Sequence, residues 1–165
     1  MSATRAAVGT GARPPGHPGP TRVALPAAIR DALVAHARAE LPNEMCGMVA
    51  GTATPAAGGR PTTWHPTRNV AASPFRYEVH PDDLLRVSLD IDDRAEEVWA
   101  IAHSHVGSPA RPSPIDVERA FYPDALFLLV SLDEAEADPA TGAPSVRAWR
   151  IVDGQVFEVG LEIAG

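Results

Sequence analysis

The apolar positions along this chain predict three helices. From Pro26 to Leu41, apolar residues recur every three or four positions, which predicts an amphipathic helix that begins at a proline and ends before Pro42. A second helix is predicted from about Pro81 to Glu97, because acidic residues follow the proline where the helix dipole favours them. A short third helix is predicted to begin near Ser113 and to run toward Tyr122.

The other apolar segments have the pattern of strands. Strands are predicted in MCGMVAG, TTWHPTRNVA, FRYEV, EVWAIAHSH and ALFLLVSL, which are separated by turns rich in glycine and proline. The segments SVRAWRIVDG and QVFEVGLEI predict a closing hairpin that turns at Asp153 and Gly154. Within EVWAIAHSH, one face is expected to carry the alternate residues Trp99, Ile101, His103 and His105. Strands interspersed with helices predict an α/β domain with a mixed sheet.

Composition divides the chain into a tail and one domain. Residues 1–20 lack apolar periodicity and are expected to be disordered, whereas residues 21–165 are expected to form a single domain. The net charge of -7, without clustered Lys or Arg, argues against a nucleic-acid partner. The longest apolar run, ALFLLV, is far shorter than the roughly 20 residues that span a bilayer. A single cysteine and the absence of a signal-peptide pattern lead us to expect a cytoplasmic protein.

The segment HSHVGSPARPSPID, residues 103–116, carries the candidate metal ligands. Two histidines separated by one residue on a strand point the same way, so His103 and His105 can bind one metal ion. Asp116 is the expected third ligand, because the proline-rich loop turns the chain back and a helix beginning near Ser113 carries this carboxylate in its first turn. Three protein ligands with an open fourth position are typical of catalytic zinc, whereas structural zinc sites usually have four ligands rich in cysteine.

A hydrolytic metal site also needs an acid/base group and a donor to the oxyanion. Glu44 is the candidate base, because a carboxylate beside the apolar segment MCGMVAG is unusual unless it is used or paired. Ser113 is the candidate donor to the oxyanion. Both residues have a structural alternative: Ser113 is also a good helix N-cap, and a glutamate after a helix end is often solvated.

The other reactive or aromatic side chains favour structural roles. Because no partner base can be named for Cys46, we interpret it as a small buried residue rather than a nucleophile. The three tryptophans lie in strand-like segments and are expected in the core: Trp64, Trp99 and Trp149. The histidines outside the motif are interpreted as surface or structural residues: His17, His36, His65 and His80.

Together, Glu44, His103, His105, Ser113 and Asp116 resemble the signature of the JAMM (MPN-plus) metallopeptidases, a glutamate on an early strand followed by His-x-His-x7-Ser-x2-Asp. The resemblance covers about residues 21–165. It implies a curved mixed sheet flanked by helices, a zinc ion in each chain, and hydrolysis of an amide or isopeptide bond. It further implies that the two histidines and the aspartate are zinc ligands, the glutamate is the general acid/base, and the serine assists the oxyanion.

The sequence context looks like the compact bacterial branch of this family, on the segments PNEMCGMVAG, RNVAASPFRYEVHPDDLLRV and HSHVGSPARPSPIDVERAFYPDALFLLVSL. Members of that branch cut after the C-terminal Gly-Gly of small ubiquitin-like sulfur-carrier proteins. The resemblance therefore implies such a carrier as partner and release of cysteine or a short C-terminal extension, as in cysteine biosynthesis. Val106 departs from the family pattern, which usually has proline after the second histidine. The identity of the carrier, the residue released and the formation of a homodimer are left open.

Four alternatives differ from this interpretation in properties that can be measured. An isopeptidase with another protein substrate would have the same site, whereas an MPN-fold scaffold would hold no metal. A relative of the DNA-repair-associated JAMM proteins would need a further DNA-binding module and basic charge. A nucleoside-type zinc deaminase would need His-x-Glu and a later Cys-x-x-Cys, which a single cysteine excludes.

Overall fold

A curled mixed sheet with helices on both faces forms the part of the chain that the computed structural model describes, Val8–Gly9 and residues 19–165. The strands in these ranges are β1 (Val8–Gly9), β2 (Arg22–Pro26), β3 (Cys46–Gly51), β4 (Pro61–Thr67), β5 (Glu97–His105), β6 (Leu126–Ser131), β7 (Ser145–Val152) and β8 (Gln155–Ala164). The helices are α1 (Ala27–Ala39), α2 (Pro81–Asp93) and α3 (Pro114–Glu118), with single 3₁₀ turns at Pro55–Ala57 and Glu134–Glu136.

The order of the strands is β1-β8-β7-β6-β5-β3-β4, and β2 pairs with β8 outside this path. Three pairs are parallel: β5 with β6, β1 with β8, and β2 with β8. The other pairs are antiparallel. The predicted α/β domain with a mixed sheet is therefore confirmed. None of the described helices is long and apolar enough to cross a membrane. The predicted tail, residues 1–20, lies mostly outside the described residues and stays a prediction.

Apolar side chains pack in two layers, one on each face of the sheet. α1 buries Ile29, Leu33 and Val34 in the first layer, and α2 buries Val87 and Ile91 in the second. Full burial of such a side chain stabilises the fold by roughly 1.5–3 kcal/mol. The second layer also receives partly buried side chains from α3 and from the loop before α2, so it lies beneath the candidate site.

Each predicted helix is shorter in the structure than the sequence pattern indicates. α1 ends at Ala39 and α2 ends at Asp93, where Ala95 adopts a positive φ of 53° and turns the chain into β5. The helix was predicted to continue to Glu97; instead, Arg94 and Ala95 form this turn, and Glu97 begins β5. α3 ends at Glu118, well before Tyr122, whose helical conformation is disfavoured by the proline that follows it.

The strand predicted for FRYEV is wrong, and the strand predicted for TTWHPTRNVA ends early. β4 stops at Thr67, because the backbone N–H and the guanidinium of Arg68 donate to the Asp83 carboxylate of α2 at 2.8–3.0 Å. Of the residues in FRYEV, Val79 alone pairs, in an isolated bridge to Asn69. Residues 68–80 therefore form a loop against α2, where the sequence predicted continued pairing.

Two further features of the sheet differ from the prediction. The strand β2, whose apolar residues alternate in RVALP, was not predicted. The register between β3 and β5 shifts at Trp99, so this side chain packs in the α1 layer and not beside Ile101. Beyond the shift, Ile101, His103 and His105 share the face toward α2. Trp99 and Trp149 lie in the core as predicted, and Trp64 packs against it while partly exposed.

The closing hairpin agrees with the sequence prediction. β7 and β8 pair in antiparallel fashion up to Val152 and Gln155, and Asp153 and Gly154 connect them. Both connecting residues have positive φ, 50° and 74°, which is the geometry of a type I′ turn.

Candidate metal centre

The three candidate ligands meet at the C-terminal end of β5, on the face of the sheet that packs against α2. Nε2 of His103 lies 3.1 Å from Oδ2 of Asp116, and Nε2 of His105 lies 3.2 Å from the same oxygen. The ligand atoms of the three residues all lie within 4.8 Å of one another. Their side chains are 1%, 6% and 8% exposed in chain order. Residues from a strand and from the next helix thus form one buried cluster.

The loop that joins β5 to α3, residues 106–113, is held by three side chains. Nδ1 of His105 donates to the carbonyl oxygen of Pro109 at 2.7 Å, which leaves the lone pair of Nε2 free for a metal. Ser131 Oγ donates to the carbonyl of Ser108 at 2.6 Å, and Trp149 Nε1 donates to that of Ala110 at 2.9 Å. Val106, the departure from the family pattern, begins this loop and leaves these three bonds in place.

A capping box at the start of α3 aims Asp116 toward the histidines. Ser113 Oγ accepts a hydrogen bond from the Asp116 N–H at 3.1 Å, and Asp116 Oδ2 accepts one from the Ser113 N–H at 2.8 Å. The N-cap alternative for Ser113 is therefore confirmed. The cap uses a lone pair of the hydroxyl, so the hydroxyl proton can still be donated elsewhere.

Glu44 is 3% exposed, so the alternative of a solvated residue is wrong. Cys46 pairs with His103 in the antiparallel ladder, and continuing this register places Glu44 opposite His105. Burial raises the pKa of Glu44 to about 8; the charge of His105 acts to lower this pKa and that of Asp116 to raise it. Among the described residues, Oε2 of Glu44 finds no hydrogen-bond partner.

The electrostatics of the cluster favour a cation. Burial alone would raise the pKa of Asp116, but the adjacent His103 and the hydrogen bonds from His105 and Ser113 hold this pKa well below its usual range. Burial acts to lower the pKa of His105, yet its bonds to Asp116 and Pro109 leave that pKa raised. Without a metal, the Asp116 carboxylate therefore stabilises the cationic form of the His105 imidazole. A divalent cation among the same atoms would take the place of this imidazolium charge.

The donor set fits a zinc ion. Two imidazole nitrogens and one carboxylate oxygen are the ligand types of catalytic zinc sites with three protein ligands. Within the described part of the chain, the buried Nε2 of His103 has no aligned hydrogen bond. This nitrogen lies 3.1 Å from Oδ2 of Asp116, but a buried nitrogen without an aligned hydrogen bond is costly, and a metal bond would remove this cost.

An apolar cleft adjoins the cluster. It has a volume of about 570 Å³, and its lining includes Tyr77, Leu84, Ile115, Asp116 and Phe121. The Tyr77 ring stacks on that of His103, with centroids 4.5 Å apart and an interplanar angle of 26°. No sequence pattern marks these apolar residues as part of a site, because the loops that carry several of them have no periodicity.

Cys46 and the other histidines take no part in the cluster. Cys46 is fully buried, and its Sγ lies 3.3 Å from Oγ1 of Thr67. Burial raises the pKa of this thiol to about 11. These properties agree with a structural residue rather than a nucleophile. His36 contacts Trp64, His65 is buried in β4, and His80 caps α2 by accepting from the Asp82 N–H. His17 lies outside the described residues.

Comparisons with known proteins match most of the chain. The family profile for prokaryotic homologs of the JAB domain matches residues 26–152. CysO-cysteine peptidase from Mycobacterium tuberculosis is 38% identical over 128 residues, which cover 78% of this chain and 82% of that protein. Desampylase from Haloferax volcanii is 34% identical over 118 residues, which cover 68% of this chain and 83% of that protein. The solution structure of a protein from Desulfitobacterium hafniense superposes with a TM-score of 0.69 at 28% identity, covering 86% of this chain and 92% of that one.

Proposed function

Because the chain belongs to the prokaryotic JAB-domain family and is a hydrolase of the JAMM type, we propose that it is a zinc-dependent peptidase of a ubiquitin-like sulfur carrier. It hydrolyses the amide bond after the C-terminal Gly-Gly of the carrier and releases cysteine or a short extension. The relative from Mycobacterium tuberculosis is named for a CysO-cysteine bond, which supports a carrier with C-terminal cysteine as substrate. A place in cysteine biosynthesis is part of the same proposal.

The observation that carries the proposal is the cluster of His103, His105 and Asp116 beside the buried, unpaired carboxylate of Glu44. In this proposal His103, His105 and Asp116 hold the zinc ion. Bound there, zinc would act as a Lewis acid on the scissile carbonyl and lower the pKa of water to about 7.

Glu44 is the general acid/base in this proposal. Its pKa of about 8 in the metal-free protein follows from burial, and a nearby divalent cation would lower this pKa and favour the carboxylate. The carboxylate then accepts a proton from the attacking water and delivers it to the leaving amine. A carboxyl group tuned toward neutral pH is suited to both transfers.

Ser113 assists the oxyanion that forms on the carbonyl oxygen. Its hydroxyl already accepts from the Asp116 N–H, which fixes the position of Oγ and leaves its proton to be donated. The same side chain therefore orients a metal ligand and stabilises the developing charge.

The cleft provides a place for the extended C-terminus of the carrier. Asp116 forms part of its wall, and apolar side chains such as Leu84 and Ile115 line the rest. A Gly-Gly segment has no side chains, so it can approach a metal lying between β5 and α3 closely. The carrier body would then remain outside, where Phe121 is 78% exposed.

Intact-mass spectrometry of a carrier protein tests the proposal. A Gly-Gly carrier with a C-terminal cysteine is incubated with the zinc-loaded protein and, in parallel, with Glu44→Gln. We expect the carrier to lose the mass of one cysteine residue with wild type alone, because the variant keeps the ligands and lacks the base. His103→Ala and Asp116→Ala are expected to lose both zinc and activity.

The controls separate the parts of the proposal. An intact carrier, with a preparation shown to hold zinc, would contradict the sulfur-carrier substrate. A lysine-linked carrier conjugate tested beside it would then reveal an isopeptidase, which the desampylase relative makes the second candidate. Equal cleavage by wild type and Glu44→Gln would contradict the role of Glu44.

A further inference from the structure

The side chain of Asn69 connects the loop after β4 to the backbone that carries Glu44. Its Nδ2 donates to the carbonyl oxygen of Glu44 at 3.0 Å and to that of Arg76 at 3.2 Å. Its Oδ1 accepts from the N–H of Ala71 at 3.0 Å and of Glu78 at 2.9 Å. One amide thus uses both its donor and its acceptor groups, and the donor half reaches Glu44.

Glu44 needs such a connection because it lies before β3, outside the regular ladder. Its N–H donates to the carbonyl oxygen of Ser73 at 2.9 Å, in the loop that Asn69 organises. The next residue, Met45, donates from its N–H to Ser104 Oγ at 2.8 Å and accepts from the Ser104 N–H at 3.1 Å. The Glu44 backbone is therefore fixed by the loop on one side, and Met45 is fixed by β5 on the other.

The same loop carries a wall of the site. Arg76 and Glu78 both bond to the Asn69 side chain, and Tyr77 lies between them in the chain. The Tyr77 ring stacks on His103. No ladder beyond the single bridge at Val79 holds this segment, so the Asn69 side chain takes the place of strand pairing in the described loop.

We infer that Asn69 is a positioning residue for the catalytic step, because it sets the backbone of Glu44 relative to the metal ligands. The inference rests on the proposed function of Glu44 as general acid/base. Asn69 touches none of the three candidate ligands in the bonds described, so its loss should spare metal binding. A misplacement of the base by an ångström can cost about a hundredfold in rate.

Two substitutions distinguish the donor bonds of the Asn69 side chain from its acceptor bonds. Asn69→Ala removes all four hydrogen bonds, whereas Asn69→Asp keeps the acceptor for Ala71 and Glu78 and lacks the donor to Glu44. The matched control is Asp138→Ala, which removes two side-chain bonds from Ala140 and Thr141 in the loop between β6 and β7. Each protein is loaded with zinc, and kcat and KM are measured on the Gly-Gly carrier with C-terminal cysteine.

We expect kcat per zinc-loaded molecule to fall between about tenfold and a hundredfold in both Asn69 variants, with KM and zinc affinity within about twofold of wild type. Asp138→Ala should keep the wild-type kcat. Amide hydrogen exchange should be faster at Glu44 in both Asn69 variants, and Asn69→Asp should keep the protection at Ala71 and Glu78 that Asn69→Ala loses.

Two kinetic results would overturn the inference. An unchanged kcat per zinc-loaded molecule in both variants would limit Asn69 to folding stability. A wild-type kcat in Asn69→Asp would show that the bond to Glu44 is not needed. If wild type does not cleave the carrier, the proposed function fails on its own account, and exchange at the Glu44 amide decides the inference: unchanged protection in both variants refutes it.

Discussion

Glu44 combines two properties that conflict unless a cation is nearby. Its carboxyl group is nearly inaccessible to water, and one of its oxygens has no hydrogen-bond partner among the described residues. Removing a carboxylate from water is costly, which is why burial raises its pKa to about 8. In the metal-free protein this side chain is therefore mostly protonated at pH 7. A cation bound nearby would favour loss of this proton and a negative charge on Glu44.

The raised pKa of Glu44 predicts a pH-dependent loss of stability. Between its ordinary pKa of 4.5 and about 8, folded metal-free protein keeps a proton that the unfolded chain has released. Stability is then lost as pH rises through this window. Urea unfolding of metal-free wild type and Glu44→Gln at pH 5 and pH 8 measures the effect, and we expect wild type to lose at least about 1 kcal/mol more than the variant. Equal losses in the two proteins would show that Glu44 ionises near its ordinary pKa.

The positions of some candidate site residues could be predicted from the sequence, whereas the burial of others could not. The spacing of His103, His105 and Asp116 indicated a shared site, because strand alternation and a helix start determine where these side chains point. The burial of Glu44 could not be predicted, since it depends on the loop around Asn69, which lies 25 residues away in the chain. The spacing of residues therefore predicts local geometry, whereas long-range packing sets the pKa of Glu44.

At the scale of elements, the loop between β5 and α3 joins the two elements that carry the candidate ligands. The histidines come from the sheet and Asp116 comes from a five-residue helix, too short to be stable by itself. Its position depends on the capping box and on bonds that hold residues 106–113 against β6 and β7. The geometry of the cluster is therefore controlled by groups that do not belong to it.

Two tryptophans allow the role of this loop to be tested. Trp149 donates to the carbonyl of Ala110 in the loop, and Trp99 makes an equivalent bond to Gly59 at 2.8 Å, outside the loop. Substitution of either by phenylalanine leaves a carbonyl without this partner, a buried one at Ala110 and a partly buried one at Gly59. Each substitution should lower the free energy of unfolding by about 1–3 kcal/mol. We expect Trp149→Phe alone to weaken zinc binding, by about tenfold.

Competition with a chromophoric chelator measures the zinc affinity of both variants, and urea unfolding measures their stability. Equal zinc affinities in Trp149→Phe and Trp99→Phe would contradict control of the cluster by the loop. A matched loss of stability in the two proteins would show that they were comparably perturbed.

The elements themselves were predicted where periodicity is strong. α1, β5, β6 and the β7–β8 hairpin follow apolar patterns that their own sequences contain. FRYEV also has the composition of a strand, yet the Asn69 side chain bonds the carbonyl of Arg76 and the N–H of Glu78, which a neighbouring strand would have paired. The register shift at Trp99 likewise depends on the partner strand, which a local pattern does not describe.

For the whole molecule, the two apolar layers are built without the candidate ligands. The first layer lies under α1 and the second under α2, and both consist of aliphatic and aromatic side chains that need no metal. The metal would join the end of β5 to the start of α3 at the border of the second layer. Such a metal adds to a fold that already exists, unlike structural zinc in proteins that unfold without it.

This arrangement predicts that zinc stabilises the protein without being required for folding. The chelator-treated protein should unfold cooperatively, and zinc at a hundred times its Kd should add about 2.7 kcal/mol, or about 5–10 °C in Tm. Thermal unfolding of wild type, Glu44→Gln and Asp116→Ala with and without zinc tests this expectation. The zinc-dependent shift should persist in Glu44→Gln, which keeps all three ligands, and disappear in Asp116→Ala. A metal-free protein without a cooperative transition would instead indicate a structural site, and an equal shift in Asp116→Ala would place zinc elsewhere.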